Sequence, residues 1–397
     1  MNNNIPEIRF KGFTHAWVQR KLGDLADVRD GTHDSPKYYP TGYPLVTSKN
    51  LTDAGLDMSN VSLISAEDFE RINKRSKVDI GDIIFGMIGT IGNPVLVDRC
   101  DFAIKNVALI KNSENIQNSL LLQLIKSPIF RKYVQNENVG NTQKFLGLNK
   151  IRDYNFLIPA STEQIAISNF FRTLDDTITL HQRKLDGLKE LKRGYLQQLF
   201  PQTGECVPRV RFDGFSEPWQ ERKLGDHFSE RSERSGEGEL ISVTINSGIM
   251  KARELDREII SSEDKSNYKT VKVGDIAYNS MRMWQGASGY SPYDGILSPA
   301  YTVITPNENT HSNFFAYAFK RFEMVQTFQK NSQGLTSDTW NLKYPVFSQI
   351  DMFSPSLDEQ VKVADFLGKL DNQITTQQQK LSKLRQLKSA YLQKMFI

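Results

Sequence analysis

Few side chains in this sequence stand at spacings that could run a reaction. The five histidines, His15, His33, His181, His227 and His311, show no metal-ligand spacing to one another or to a cysteine, so they read as structural or surface residues. Cys100 and Cys206 lie far apart and at unrelated places, and both read as ordinary thiols. Gly86-Met87-Ile88-Gly89-Thr90-Ile91-Gly92 does not form a dinucleotide fingerprint, and no Gly-Lys-Ser/Thr phosphate loop occurs. The step Asn93-Pro94-Val95 lacks the second proline and the aromatic residue of an amino-methyltransferase loop, and no Phe-x-Gly-x-Gly is present. Asp186, Glu190 and Lys192 have a nuclease-like Glu-x-Lys spacing, but they fall on a long helical pattern where such charges make solvated intrahelical pairs. The sequence therefore points away from catalysis, with no cofactor or metal held by the chain itself.

What the chain has instead is a repeat. Residues 8–24 and 210–226 share 10 of 17 positions, and residues 157–201 and 353–397 share 18 of 45 without a gap. The copies are whole domains, longer than a small solenoid repeat. Its 397 residues, 39% apolar and 24% charged, are ordinary for a folded protein, and a net charge of +4 with a pI near 8.8 permits contact with a polyanion without requiring it. No apolar run is long enough to span a membrane, and Met1-Asn2-Asn3-Asn4 lacks the features of a secretion signal, so a cytoplasmic protein is expected.

Each copy runs from the shared framework into short β-branched segments, 78–85 and 102–110 in the first and 271–278 and 300–304 in the second, expected as strands. Helices are expected over 119–135 and 312–329, followed by polar loops at 138–149 and 331–341. The fold class is thus α+β, a tandem duplication of a mixed globule followed by a long helix. The expected domains are 1–156 and 210–352 for the globules, 157–200 and 353–397 for the helices, and 201–209 for a linker.

Pro159 and Pro355 precede the long helices, where Ser161 with Gln164 and Ser356 with Glu359 have capping-box spacing. Apolar positions then step by four and three: Ile167, Phe171, Leu174, Ile178, Leu185 and Leu188 in one, Val363, Leu367, Leu370, Ile374, Leu381 and Leu384 in the other. His181, Gln377, Lys192 and Lys388 interrupt the seam at equivalent places, either fixing its register or marking where the helices splay toward water. Gly187 and Gly194 each cost about 1 kcal/mol against alanine and are expected to admit close approach of the partner helix. Helices of roughly 55 Å cannot bury such stripes on one small globule. They are expected to pack on each other as an antiparallel coiled coil with pseudo-twofold symmetry, one globule at each end, a spacing suited to half-sites about 34 Å apart on DNA. Packing between chains is the alternative.

The two Arg-Lys-Leu-Gly-Asp starts, the Gly-Asp-Ile segments at 81–83 and 274–276 and the Pro-x-x-x-Glu-Gln entries at 159–164 and 355–360 resemble the specificity subunit of a Type I restriction-modification enzyme. Local stretches Asp30-Gly31-Thr32-His33, Trp284-Gln285-Gly286 and Ser298-Pro299-Ala300-Tyr301 add to the resemblance, which covers the whole chain. It implies two target-recognition domains, each reading one half of a bipartite site on double-stranded DNA, with helices that set the spacing and dock two methyltransferase subunits. S-adenosylmethionine would then sit on those partners, and ATP and magnesium on restriction and translocation subunits.

Side chains able to read base edges or hold phosphate, in the unrepeated middle of each copy, are the candidate contacts. They are Thr32, His33, Lys37, Tyr38, Ser48, Lys49, Asn50, Asn141, Gln143 and Lys144 in the first copy. In the second they are Arg231, Arg234, Asn279, Arg282, Trp284, Gln285, Ser332, Gln333 and Thr336. Tyr38 and Trp284 have a competing role as packing anchors, and Glu163, Gln164, Glu359 and Gln360 as caps. Two other functions compete: a coiled-coil scaffold that bridges proteins without touching DNA, and a divergent methyltransferase or nuclease.

Overall fold

Ile83-Ile84-Phe85 and Val107-Ala108-Leu109-Ile110 have no polar position, so as strands they need cover on both faces. In the computed structural model of the chain they pair antiparallel at the centre of a sheet, Leu109 opposite Ile84. The structure describes residues 4–397 except 54, 90, 138–144, 246, 256–263 and 338. It divides into two compact units, Met1–Lys184 with Gln377–Ile397, and Leu185–Thr376.

In the first unit the four-stranded sheet runs in the order Val28–Asp30, Val107–Ile110, Ile83–Gly86, Gly92–Leu96. Alternate side chains enter two cores, Ile83, Phe85, Ala108 and Ile110 on one face and Ile84, Val107 and Leu109 on the other. The second unit repeats the order with Phe228–Glu230, Tyr301–Pro306, Ile276–Asn279 and Ser288–Tyr290, and Ala277 opposite Val303. A two-stranded ribbon ties each unit's first segment to the strand before its long helix, Val18–Lys21 with Asn155–Ile158 and Gln220–Lys223 with Asp351–Ser354.

Several expected elements are shorter. Of 78–85 only Ile83–Gly86 is strand, because Gly81 turns the chain at a φ of 91° and the Asp82 carboxylate accepts the Asp79 amide at 2.8 Å. Gly274 and Asp275 repeat this turn, Asp275 accepting the Lys272 amide at 2.8 Å. That is the physical content of the repeated Gly-Asp-Ile: a left-handed glycine, a buried acid that closes the turn, then a core strand. The segment 102–110 is two strands, Ala103–Ile104 and Val107–Ile110, parted at the left-handed Asn106, φ 56°. Each expected helix is a pair, Asn118–Lys126 with Pro128–Glu137 and Ser312–Ala318 with Phe322–Asn331; the first break falls where Pro128 opens a new helix.

The long helices are Ser161–Gln198 and Leu357–Lys394, 38 residues each. In the first unit they run antiparallel: Phe170 packs on Tyr391 with ring centroids 4.9 Å apart, the Lys388 ammonium donates to Asp175 at 2.5 Å, and the Gln377 amide donates to the His181 carbonyl at 2.9 Å. In the second they do so again, with Tyr195 against Phe366 at 4.8 Å and Lys192 on Asp371 at 2.6 Å. The polar members of the seam are therefore paired rather than splayed into water. The core of each unit is completed by the far end of the other copy's helix. Leu392, Met395 and Phe396 join Trp17 and Phe171 in the first, while Leu199 and Phe200 join Trp219 and Phe314 in the second.

Two expectations about these helices are corrected. The side chains of Glu163 and Glu359 do not cap. Each is buried and accepts two bonds from a framework arginine, Arg9 at 2.7 and 2.7 Å and Arg211 at 2.8 and 2.8 Å. Gln164 accepts the Gln117 amide at 3.2 Å and Gln360 the His311 amide at 2.9 Å, so each glutamine docks the preceding helix start onto the long helix. Nor do Gly187 and Gly194 admit a close neighbour, since a Cβ at either would meet nothing within 4 Å.

Candidate nucleic-acid interface

The loops at one end of each central strand converge. In the first unit the Leu146 amide donates to the Met87 carbonyl at 2.9 Å, and Phe145 pairs with Ile88. The Ser48 hydroxyl reaches the Ile88 carbonyl at 3.4 Å, and the Lys105 amide, beside Thr32, donates to the Val46 carbonyl at 2.9 Å. The segments 31–39, 47–50, 86–88 and 145–146 thus form one connected surface. The second unit has the same junction, with the Leu342 amide donating to the Ser280 carbonyl at 2.8 Å. Trp284 and Trp340 meet edge to face at 5.3 Å, which fastens the segment 279–286 to the loop 332–341.

His33 is the most constrained candidate of the first unit. Its Nδ1 lies 2.8 Å from Asn106 Oδ1 and its Nε2 2.9 Å from Asp30 Oδ2, while Arg75 pairs with the same buried Asp30. Both ring nitrogens face acceptors, and these bonds, Asn106 first and then Asp30, raise the imidazole above its ordinary pKa. Both ring nitrogens are thus engaged within the fold. Thr32 is half-buried beside it, its hydroxyl accepting the Asp34 amide at 3.1 Å. Lys37 and Tyr38 are exposed on the following strap, the ammonium 5.5 Å above the Tyr39 ring. Tyr38 is therefore no buried anchor. Lys49 is exposed and Ser48 half-buried.

Asn50 is corrected. It is 7% exposed, its oxygen accepts from Thr47, and its amide donates to the Asp57 and Asn60 carbonyls at 3.2 and 3.3 Å, so it staples the loop and has nothing left to read a base. Asn141, Gln143 and Lys144 lie outside the described residues.

In the second unit Arg282 is exposed, and its nearest bond is a long one, 3.4 Å to Gln285. Asn279 ends its strand with its side-chain oxygen on the Met281 amide at 3.0 Å. The Trp284 indole donates to the Met281 carbonyl at 3.0 Å and packs on Trp340, which makes it the anchor of the surface. Gln333 and Thr336 are exposed in the adjoining loop, and the Ser332 hydroxyl is spent on the Phe328 carbonyl at 2.7 Å. Arg231 is also corrected: its guanidinium is locked on Asp275 at 2.7 and 2.9 Å, an internal pair that closes the Gly-Asp-Ile turn. Arg234 is exposed beside Asn267, bonded at 3.2 Å. Two neighbours were missed: Leu335, wholly exposed between Gln333 and Thr336, and Met281, 45% exposed beside Arg282. An apolar residue inside a polar loop was the available signal. Among the described residues no group of His, Cys, Asp and Glu side chains could hold a metal ion, and no helix is long and apolar enough to cross a membrane.

Residues 15–190 and 216–386 each match the Type I restriction modification DNA specificity domain. The chain belongs to that family. A protein assigned as the type I restriction enzyme MjaX specificity subunit of Methanocaldococcus jannaschii is 22% identical over 224 residues, 53% of this chain. The chain spans about half the length of that relative, 52%. Among solved structures, the S subunit of a Type-I restriction-modification system from M. genitalium aligns over 99% of both chains with a TM-score of 0.63 at 17% identity. A chain from a structure describing complex assembly and conformational transition of the type I R-M system aligns over 95% of this chain and 96% of its own, TM-score 0.52 at 14% identity. At these identities the likeness is one of fold. Each matched stretch spans one four-stranded sheet, its connecting loops and most of the long helix that follows.

Proposed function

We propose that each unit reads one half of a bipartite double-stranded DNA site, and that the globules 1–156 and 210–352 are the reading domains, connected along the chain by the helix 157–200 and the linker 201–209. The observation that carries this is the contrast between framework and loops. The sheet order, the Arg–Glu pair and the Gly-Asp-Ile turn repeat in both units, whereas the loop surface displays Lys37, Tyr38 and Lys49 in one and Arg282, Gln285 and Gln333 in the other. A common frame with unlike surfaces is what two different half-sites demand. Phosphate contacts would position the protein and base-edge contacts would specify sequence, with binding that weakens steeply as salt rises.

In this reading the chain performs no chemistry. The helices 157–200 and 353–397 set the half-site spacing and dock two methyltransferase subunits, which bring S-adenosylmethionine and flip the target base. Restriction and translocation subunits bring ATP and magnesium, and the complex works in the cytoplasm. Replacing Arg282 with alanine tests the modular part of the reading. Discrimination should fall by about 1–3 kcal/mol at one base pair of one half-site, measured by competition gel shift with the methyltransferase subunit present. Equal loss of discrimination at both halves would refute it.

A further inference from the structure

Lys320 lies in the turn between the helices Ser312–Ala318 and Phe322–Asn331, and Lys126 ends the helix Asn118–Lys126 at the same place in the first unit. Burial lowers the proton affinity of both ammonium groups and brings Lys320 down to about 8. An amine is costly to bury, and a methionine could occupy such a place without that cost. In the second unit the contacts show what the charge holds. Lys320 Nζ donates to the Ile245 carbonyl at 2.8 Å, in the turn of the hairpin 241–251, and to the Gly286 carbonyl at 2.6 Å. Gly286 is the left-handed residue, φ 79°, that closes the segment bearing Arg282 and Trp284. One ammonium therefore fastens the hairpin turn at Ile245 to the segment of the candidate surface that bears Arg282.

Behind Lys320 stands the helix seam. Its nearest charge is Lys192, which is bonded to Asp371 and lies 5.2 Å above the Tyr317 ring, while the Tyr317 hydroxyl donates to Asp371 at 2.7 Å. In the first unit Lys126 holds the corresponding place, near the seam pair Lys388 and Asp175.

We propose that Lys320 is a positioning residue, tying the segment that bears Arg282 and Trp284 to the hairpin turn at Ile245 beside the long-helix seam and so setting discrimination at the second unit's half-site. This rests on the reading that each unit reads a half-site. The test uses the K320M chain assembled with the methyltransferase subunit, on duplexes that carry single base-pair changes in either half. K320M should lose at least about tenfold in discrimination at the second unit's half-site and keep it at the other, since removing the charged donor unpairs the Ile245 carbonyl and leaves the Gly286 carbonyl only the Ser288 amide. A lysine that merely supports the fold would weaken affinity without changing base preference, and that result, or unchanged discrimination, overturns the proposal. If K320M lacks a cooperative melt, K320Q, which keeps donors and removes the charge, is read by the same criterion. A wild-type complex indifferent to base changes in both halves would instead overturn the half-site reading.

Discussion

Phe396 stands near the end of the second copy's helix, yet its ring lies 6.3 Å from Trp17 and 6.0 Å from Phe171 in the core of the first unit, where it is 3% exposed. Truncating it to alanine removes a buried aromatic ring and leaves a cavity, a loss of about 3–5 kcal/mol. Even about 3 kcal/mol is roughly a 150-fold change in the unfolding equilibrium, and with a slope near 2 kcal/mol per molar urea the midpoint should drop by about 1.5–2.5 M. The chain suits the assay, because Trp17 is the only tryptophan of the first unit and Trp219 is buried in the core of the second. Fluorotryptophan labelling separates the two signals in a urea titration followed by fluorine NMR. F396A should move the Trp17 transition by the full amount and the Trp219 transition by less. Phe200, 5.8 Å from Trp219, should give the opposite pattern when truncated. A Trp17 transition that stays in place in F396A would refute the exchange of helix ends between cores.

Other consequences are more local. G187A and G194A should each stabilise the protein by about 1 kcal/mol in thermal unfolding, since neither added methyl meets a neighbour; a lower Tm would contradict the open surroundings of these sites. His227 is buried between Thr310 and Ser354 at 3.1 and 2.9 Å, and burial, aided by Arg222, pushes its pKa down to about 4. Because the folded value lies below the unfolded 6.5, its contribution of about 3 kcal/mol is complete above pH 6.5 and is lost as pH falls toward 4. H227Q should remove most of this acid sensitivity from the second unit in urea titrations at pH 7 and pH 5, and an unchanged slope would exclude His227 as its source.

The long helices were legible because burial along them is periodic and local: the four-and-three steps pick out Ile167, Phe171, Val363 and Leu367, all buried. The seam polar residues were also visible as equivalents, and their pairing with Asp175 and Asp371 follows from antiparallel register. The frame was misread where a partner lies far along the chain. Glu163 stands close to Ser161 in sequence and reads as a cap, whereas its partner Arg9 is 154 positions away. Arg231 reads as a free guanidinium until the turn at Asp275, 44 positions on, is folded beside it. Asn50 fails for a local reason, since its amide closes its own loop. Candidates such as Lys37, Lys49, Arg282 and Gln333 stay exposed, and the contacts of Lys37 and Arg282 are with near neighbours in sequence, Tyr39 and Gln285. That is also why sequence alone could not rank them.

The most direct test of bipartite recognition is selection from a randomised duplex library by the chain reconstituted with its methyltransferase subunit, at two salt concentrations. Two short half-sites separated by a fixed gap should be enriched, more sharply at the higher salt as nonspecific phosphate binding is suppressed. Enrichment of one uninterrupted site, or binding with no selected sequence, would contradict the assignment of one half-site to each unit.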